Sequence, residues 1–259
     1  ASATATVTVT VTDVNEAPTT GNQTLSATED TVKVFGASDF TFSDVDSGDS
    51  ISKVKITTLE SAGTLYVDGN DNDAYDSGED VTLNQAIAIG DIANLQFVGA
   101  ANASGSTYAT IGFKVYDGTV YSASAGVNTM NVSAVNDTGS VVVSGTVAQG
   151  EKLSASVSDA DGLSGVSISY QWKRGGSAIS GATSSSYTLT QADVGTAITV
   201  TASYTDELNT AESRTGAATS SVANVNDTGS VVVSGTAAQG EQLSASVSDA
   251  DGLSGVSIS

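Results

Sequence analysis

Between Asp68 and Glu79 the chain reads DGNDNDAYDSGE. With Asp68 as position 1, oxygen-bearing side chains stand at 1, 3, 5, 9 and 12: Asp68, Asn70, Asn72, Asp76 and Glu79. The Ala74 carbonyl falls at 7. That is the ligand spacing of a 12-residue EF-hand calcium loop, including the glutamate at 12 that binds with both oxygens. Alternate side chains of a tightly coiled loop converge on one point, and a late glutamate closes the shell. Position 6, where glycine normally makes the sharp turn, is Asp73. Aspartate tolerates left-handed backbone better than most residues, at some cost. No flanking helices are expected, so only the loop of that motif is present. The competing reading is a solvated acidic loop, and the absence of lysine nearby favours the metal.

The rest of the composition points the same way. Among 259 residues there are 8 Lys and Arg against 29 Asp and Glu, with no histidine and no cysteine. That excludes a Ser-His-Asp triad, a cysteine nucleophile and an ordinary zinc site. A net charge of −21 repels phosphate backbones and argues against nucleic acid as a partner. A hard cation held by oxygen, calcium above all, suits the side chains available. No run of about 18 apolar residues suggests a membrane-spanning helix, and no charged-then-apolar leader is visible. Paired carboxylates could suggest a glycosidase. Here the acids sit in turns that recur between copies, as a catalytic site would not, so no enzyme is expected.

Internal repetition is the strongest organising signal. Residues 135–169 recur at 225–259, and only Val147/Ala237 and Lys152/Gln242 differ over the 35 positions. A looser mark, Asn followed by an acid, appears at Asn15-Glu16, Asn136-Asp137 and Asn226-Asp227. These marks divide the chain into four pieces. Residues 1–17 read as the last strand and linker of a preceding domain, and 18–137 as a larger domain. Residues 138–227 read as a smaller domain, and 228–259 as the start of its next copy.

The elements that must hold these acids read as strands. Val7, Val9 and Val11 alternate with threonines, the period of a half-buried strand. Ile168, Tyr170 and Trp172 share one face, as do Leu153, Ala155 and Val157, and Ile198, Val200, Ala202 and Tyr204. Trp172 is expected in the core, not on a sugar-binding surface. Short strands between Gly, Asn, Asp and Ser turns predict an all-β chain of tandem antiparallel β-sandwich domains. The best helical candidate is Leu83–Leu95.

The smaller unit contains SGTVAQGEKLSASVSDADGL, SYQWKR and SAISGATSSSYTLTQADVGTAITVTASYTD, and closes on VNDT. It resembles the immunoglobulin-like repeats of giant bacterial surface adhesins. The larger unit, with SATEDT, FSDVDSGD, FKVYDGTVYS and a closing VNDT, is similar to the cadherin-like repeats of those proteins. Members are typically exported by type I secretion and carry RTX repeats. Two features depart from these patterns. The immunoglobulin cysteines are missing, with Ala155 and Ala202 on the expected strands, and no GGxGxD nonapeptide occurs.

The resemblance implies an elongated extracellular array, with calcium shared at each junction between the linker and acidic loops. At the first junction the candidate ligands are Asp13, Asn15, Glu16, Glu29, Asp30, Asp44, Asp46 and Asp49. At the second, Asn136 and Asp137 would meet Glu151, Asp159 and Asp161, with Asp117 from the preceding domain. At the third the equivalents are Asn226, Asp227, Glu241, Asp249 and Asp251, with Asp206. Carboxylates converging at one end of a sandwich repel unless a divalent ion sits between them. Read without the resemblance, the same residues are ordinary Asp/Asn turn formers. The expected function is a calcium-stiffened extender of a cell-surface adhesin, serving attachment or biofilm formation. The alternative is a module of the larger domain that binds surface glycans or another adhesin, with its site in the insertion between 60 and 105.

Overall fold

The computed structural model describes residues 2–12 and 14–253. It divides into two compact units, Ala1–Val135 and Asn136–Ser259. Strands and turns build nearly all of it, and the sheets are almost entirely antiparallel. No helix among the described residues is long and apolar enough to cross a membrane.

The first unit contains β1 (Gln23–Thr28), β2 (Lys33–Val34), β3 (Lys53–Thr58), β4 (Thr64–Val67), β5 (Ala86–Ala88), β6 (Leu95–Val98), β7 (Gly105–Tyr116) and β8 (Gly126–Ser133). One sheet has the order β1-β8-β7-β3-β5 and the other β2-β6-β4. The β1–β8 pair is parallel, with Gln23 opposite Asn128, whereas the other strand ladders described are antiparallel. Along β8 buried and half-buried residues alternate, and Ala109, Ile111, Phe113 and Val115 of β7 face the same core. Phe40 joins the layers, stacking on Phe35 at 5.7 Å and meeting Phe113 edge-on at 5.0 Å.

The turn into β4 depends on Gly63, at φ +73°. A Cβ there would lie 2.6 Å from the Val98 carbonyl oxygen and 2.7 Å from the Phe97 ring. Gly63→Ala should therefore cost more than about 1 kcal/mol. A denaturation midpoint equal to wild type would refute this.

Leu83–Leu95 is not one helix. Ala86–Ala88 forms an edge strand, and Ile89–Asn94 a short 3-10 helix. The reason lies in the local pattern: buried Ile87 between less buried alanines follows the period of a strand. Gly90 and the β-branched isoleucines also weaken an α-helix. Residues 2–12 join no ladder among the described residues. Val7, Val9 and Val11 are 82, 77 and 86% exposed, so the alternating pattern has no partner sheet here.

The second unit contains β9 (Ser140–Ser144), β10 (Lys152–Ser158), β11 (Ser169–Arg174), β12 (Ser177–Ala178), β13 (Ser186–Thr188), β14 (Ile198–Thr205) and β15 (Ala211–Thr215). Sheets β13-β10-β9 and β12-β11-β14-β15 enclose a core of Leu153, Trp172, Leu189, Ile198, Val200 and Ala202. Trp172 is fully buried and donates its indole N–H to the Ser184 carbonyl at 2.8 Å. Asp193, fully buried, accepts from Arg174 Nε at 2.6 Å, Tyr187 Oη at 2.9 Å, and the Thr190 N–H and hydroxyl at 2.7 and 2.8 Å. Beyond it β16 (Ser230–Ser234) and β17 (Ser244–Ser248) form a two-stranded hairpin. Its Val231, Val232 and Val233 are about 60% exposed.

Candidate metal centres

The Asp68–Glu79 loop coils as its spacing suggests. Asp68, almost fully buried at the end of β4, accepts at Oδ1 from the N–H groups of Asn70 (3.2 Å) and Asn72 (3.3 Å). Its Oδ2 accepts from Asp73 at 2.8 Å. Asn70 and Asn72 each donate a side-chain amide to Asp76 Oδ2 at 2.8 Å. Glu79 closes the ring, taking the N–H of Gly69 on one oxygen and that of Asp76 on the other, both at 2.9 Å. Asp73 holds φ 55°, the left-handed turn expected of position 6. Burial pushes the Asp68 carboxyl up, but the backbone donors of Asp73, Asn70, Asn72 and Asp71 outweigh it and hold it below the ordinary range. Gln96 on β6 supports the loop from the core side. Its amide nitrogen reaches Asp68 Oδ2 at 3.3 Å and Asp73 Oδ1 at 3.2 Å, while its oxygen accepts from Tyr66 Oη at 2.8 Å.

A second arrangement occurs three times. In each Asp-x-Asp turn the first aspartate accepts the N–H of the second: Asp46 to Asp44 at 3.1 Å, Asp161 to Asp159 at 3.0 Å, Asp251 to Asp249 at 2.9 Å. The second aspartate then takes a backbone N–H from the linker before it. Glu16 donates to Asp46 at 2.8 Å, Asp137 to Asp161 at 2.6 Å, and Asp227 to Asp251 at 2.7 Å. The linker asparagines fold back onto the next carbonyl, Asn15 to Glu16, Asn136 to Asp137 and Asn226 to Asp227. Each linker is thus fixed to the turn that follows it through carboxylate acceptors.

Two of these turns gather a third carboxylate. Asp44, Asp49 and Asp117 each bring an oxygen within 4.8 Å of the others, as do Asp159, Asp161 and Asp206. In the first group Asp44 Oδ2 is buried without a hydrogen-bond partner, and in the second Asp206 Oδ2 is. Asp251 Oδ1 is likewise buried and unpartnered. A buried carboxylate oxygen with no donor, on a residue clustered with other carboxylates, is electrostatically uncompensated. An oxygen-only set of this kind fits a hard divalent cation, calcium before zinc. Asp117 also accepts from Thr119 and Val120 N–H at 2.5 and 2.7 Å and from Asn15 Nδ2 at 3.2 Å. Burial raises its carboxyl, and those donors lower it by more.

The acids are distributed differently from their order along the chain. Asp117 joins the first group, not the second, and Asp206 joins the second, not the third. The cause is strand direction. Asp117 follows β7 and Asp206 follows β14, and both strands run back toward the end of the unit where its Asp-x-Asp turn lies. Within the first unit Glu29 accepts the Val135 N–H at 2.6 Å and Asp30 the Asn102 N–H at 3.0 Å. Glu151 and Glu241 are exposed turn residues and belong to neither triad. Asp13 lies outside the described residues.

Sequence reasoning missed the supporting polar side chains. Gln149 takes the Val225 N–H on its amide oxygen at 3.3 Å and donates to Asp227 at 2.6 Å. Glu212 accepts from Asn136 at 3.3 Å and pairs with Arg214 at 2.7 Å. Tyr204 donates its hydroxyl to Asp159 Oδ2 at 2.7 Å. Burial and that bond push the Tyr204 hydroxyl far above its ordinary value, so it remains a donor. The available signal was the repeat for Gln149, whose counterpart is Gln239, and strand alternation for Tyr204.

No protein-family model matches the sequence, and no curated protein does. Among solved structures, the chain is similar to the N-terminal four Ig domains of Dscam1 isoform 4.44, at 11% identity and a TM-score of 0.29. That match covers 79% of this chain and 47% of the other. For the N-terminal eight Ig domains of Down Syndrome Cell Adhesion Molecule the values are 14%, 0.32, 86% and 26%. For a calcium-stabilised adhesin that helps an Antarctic bacterium reach out and bind ice they are 14%, 0.27, 85% and 52%. The chain therefore spans about half or less of each of these chains. Overlaps this loose carry no functional inference.

Proposed function

We propose that this chain is a calcium-stiffened extender segment of a bacterial cell-surface adhesin, structural in role and used in attachment or biofilm formation. The observation that supports it most is the pair of aspartate triads, each with a buried, unpartnered carboxylate oxygen. Each lies in the turn that also holds the incoming linker by its backbone. Asp44, Asp49 and Asp117 would hold one ion, and Asp159, Asp161 and Asp206 another. The Asp68–Glu79 loop would hold a third through Asp68, Asn70, Asn72, Asp76, Glu79 and the Ala74 carbonyl. An ion there neutralises converging carboxylates and fixes the turn to which the linker is bonded. On this reading the domains are a larger one at 18–137 and a smaller one at 138–227, with 1–17 the last strand and linker of a preceding domain and 228–259 the start of the next copy of the smaller one.

Calorimetric titration of the full chain with calcium tests the proposal. Three classes of site are expected, at the ~10⁻⁴–10⁻³ M affinities of extracellular modules or tighter. Asp206→Asn and Asp117→Asn should each remove one class. A titration with no heat beyond dilution, or one that both variants leave unchanged, would sink it.

A further inference from the structure

The two triads share a turn but differ in one bond. In the first unit the leading aspartate, Asp44, has Oδ2 buried and without a partner. In the second the leading aspartate, Asp159, has both oxygens engaged. Oδ1 accepts the Asp161 N–H at 3.0 Å, and Oδ2 accepts the Tyr204 hydroxyl at 2.7 Å. Tyr204 is 5% exposed and closes the buried face of β14, where Ile198, Val200 and Ala202 precede it in the core. Its ring cannot swing away without leaving that face. Two residues on, Asp206 is fastened by Oδ1 to the Thr210 N–H at 2.7 Å, while its Oδ2 is buried with no hydrogen-bond partner.

The backbone opposite is cut to fit. A Cβ at Gly139 would overlap the Tyr204 hydroxyl and lie 2.6 Å from Asp159 Oδ2. The φ of Gly139 is not left-handed, so the chain there needs glycine for space and not for conformation. In the first unit Asp117 follows Tyr116, but the ring of Tyr116 packs on Tyr121 at 4.6 Å. No tyrosine hydroxyl reaches Asp44 among the described residues.

We infer that Tyr204 is a positioning residue. Through its hydroxyl it holds Asp159 in ligating orientation, so that ligand of the second unit's calcium site is set before the ion arrives, while the matching Asp44 Oδ2 of the first unit has no such bond and is fixed only on binding. The inference rests on the calcium reading of the Asp159–Asp161–Asp206 triad. Outer partners that orient metal ligands are typically worth about 10–100-fold in affinity. Pre-formation removes an ordering cost that would otherwise be subtracted from binding.

The test is calcium calorimetry on the full chain as wild type, Tyr204→Phe, Gly139→Ala and Asp206→Asn, with the metal-free melting of each. Tyr204→Phe keeps the ring and its packing, so metal-free melting should change little. Affinity at that one site should fall about 10-fold or more, leaving the Asp44 site unchanged. Gly139→Ala, whose Cβ would displace the Tyr204 hydroxyl and crowd Asp159 Oδ2, should weaken the same site. If Asp206→Asn abolishes a site but Tyr204→Phe binds calcium as tightly as wild type, the positioning role is wrong and the metal reading stands. If Asp206→Asn leaves every site intact, the calcium assignment of this triad fails, and the inference with it. Should Tyr204→Phe unfold, Gly139→Ala decides: unchanged affinity in that folded variant overturns the proposal.

Discussion

Calcium added to the metal-free chain should raise its unfolding temperature by about 10 °C or more, and chelator should reverse the rise completely. The magnitude follows from mass action. At a free concentration 100 times Kd, one site that exists only in the folded state adds about 2.7 kcal/mol. For a domain of about 100 residues each kcal/mol is worth about 4–8 °C. Both aspartate triads need the tertiary fold, since each joins a turn to a strand end remote in sequence: Asp44 with Asp117, and Asp159 with Asp206. Neither survives unfolding, which is the condition for the full effect. Sodium chloride at matched ionic strength separates site binding from screening. It weakens repulsion among exposed acids generally, but it cannot supply the six to eight oxygen contacts calcium takes. An equal rise in sodium chloride would refute specific sites. Small-angle scattering on the same samples should show a narrower distribution of particle lengths with calcium than with chelator.

The second large effect concerns Asp193, a fully buried carboxylate of the second unit that joins neither triad. Asp193→Ala should destabilise that unit by about 3 kcal/mol or more, measured as a shift in denaturant midpoint with the slope preserved. Removing the carboxylate strands Arg174 and three further donors, the Thr190 N–H and hydroxyl and the Tyr187 hydroxyl. Breaking a buried pair from one side costs more than the pair itself contributes. The capping box of the 3-10 helix at Gln191–Asp193 is lost as well. Burial raises the Asp193 carboxyl, but Thr190, Arg174 and Tyr187 outweigh it and set its folded value below that of an unfolded aspartate. A depressed carboxyl contributes stability above about pH 4, lost as the pH falls through the folded value. The gap between wild type and Asp193→Ala should therefore be constant near neutrality and shrink below about pH 4. A gap that widened with acid would contradict the assignment.

Much of the architecture is legible in the residue order because period-2 burial needs only local information. Ile198, Val200, Ala202 and Tyr204 declare a face before any partner is known, and Trp172 declares the core. The Asp68–Glu79 loop is legible for the same reason: its candidate ligands all lie within one turn of chain. The triads are not. Nothing in the order of residues says that β7 and β14 return Asp117 and Asp206 to the end where each unit's own Asp-x-Asp turn lies. That information resides in strand direction, and reading the acids in chain order places them one junction too late. The helix proposed over Leu83–Leu95 failed for a related reason, since an isoleucine between alanines reads equally as helix or edge strand until its neighbours are placed. The contacts that Tyr204, Gln96 and Gln149 make with carboxylates were not legible, because alternation or repetition can mark a neutral side chain's position but not its partner.

The hairpin β16–β17 differs from β9–β10 only where Ala237 replaces Val147 and Gln242 replaces Lys152, both in the connecting turn region or its border. The strand pairing is the same, Val231 opposite Val247 as Val141 is opposite Val157. During folding, the second unit's remaining strands thus meet two nearly identical partners on one chain, set apart in side-chain chemistry chiefly by Val147, which packs against the core and is alanine in the copy. Proximity along the chain separates them further: β10 is followed 11 residues later by β11, whereas β17 comes after β15. Near-identical neighbours are a recognised route to exchanged strands in tandem-repeat proteins. Proximity along the chain and the core packing of Val147 therefore both favour the native pairing over the exchanged one.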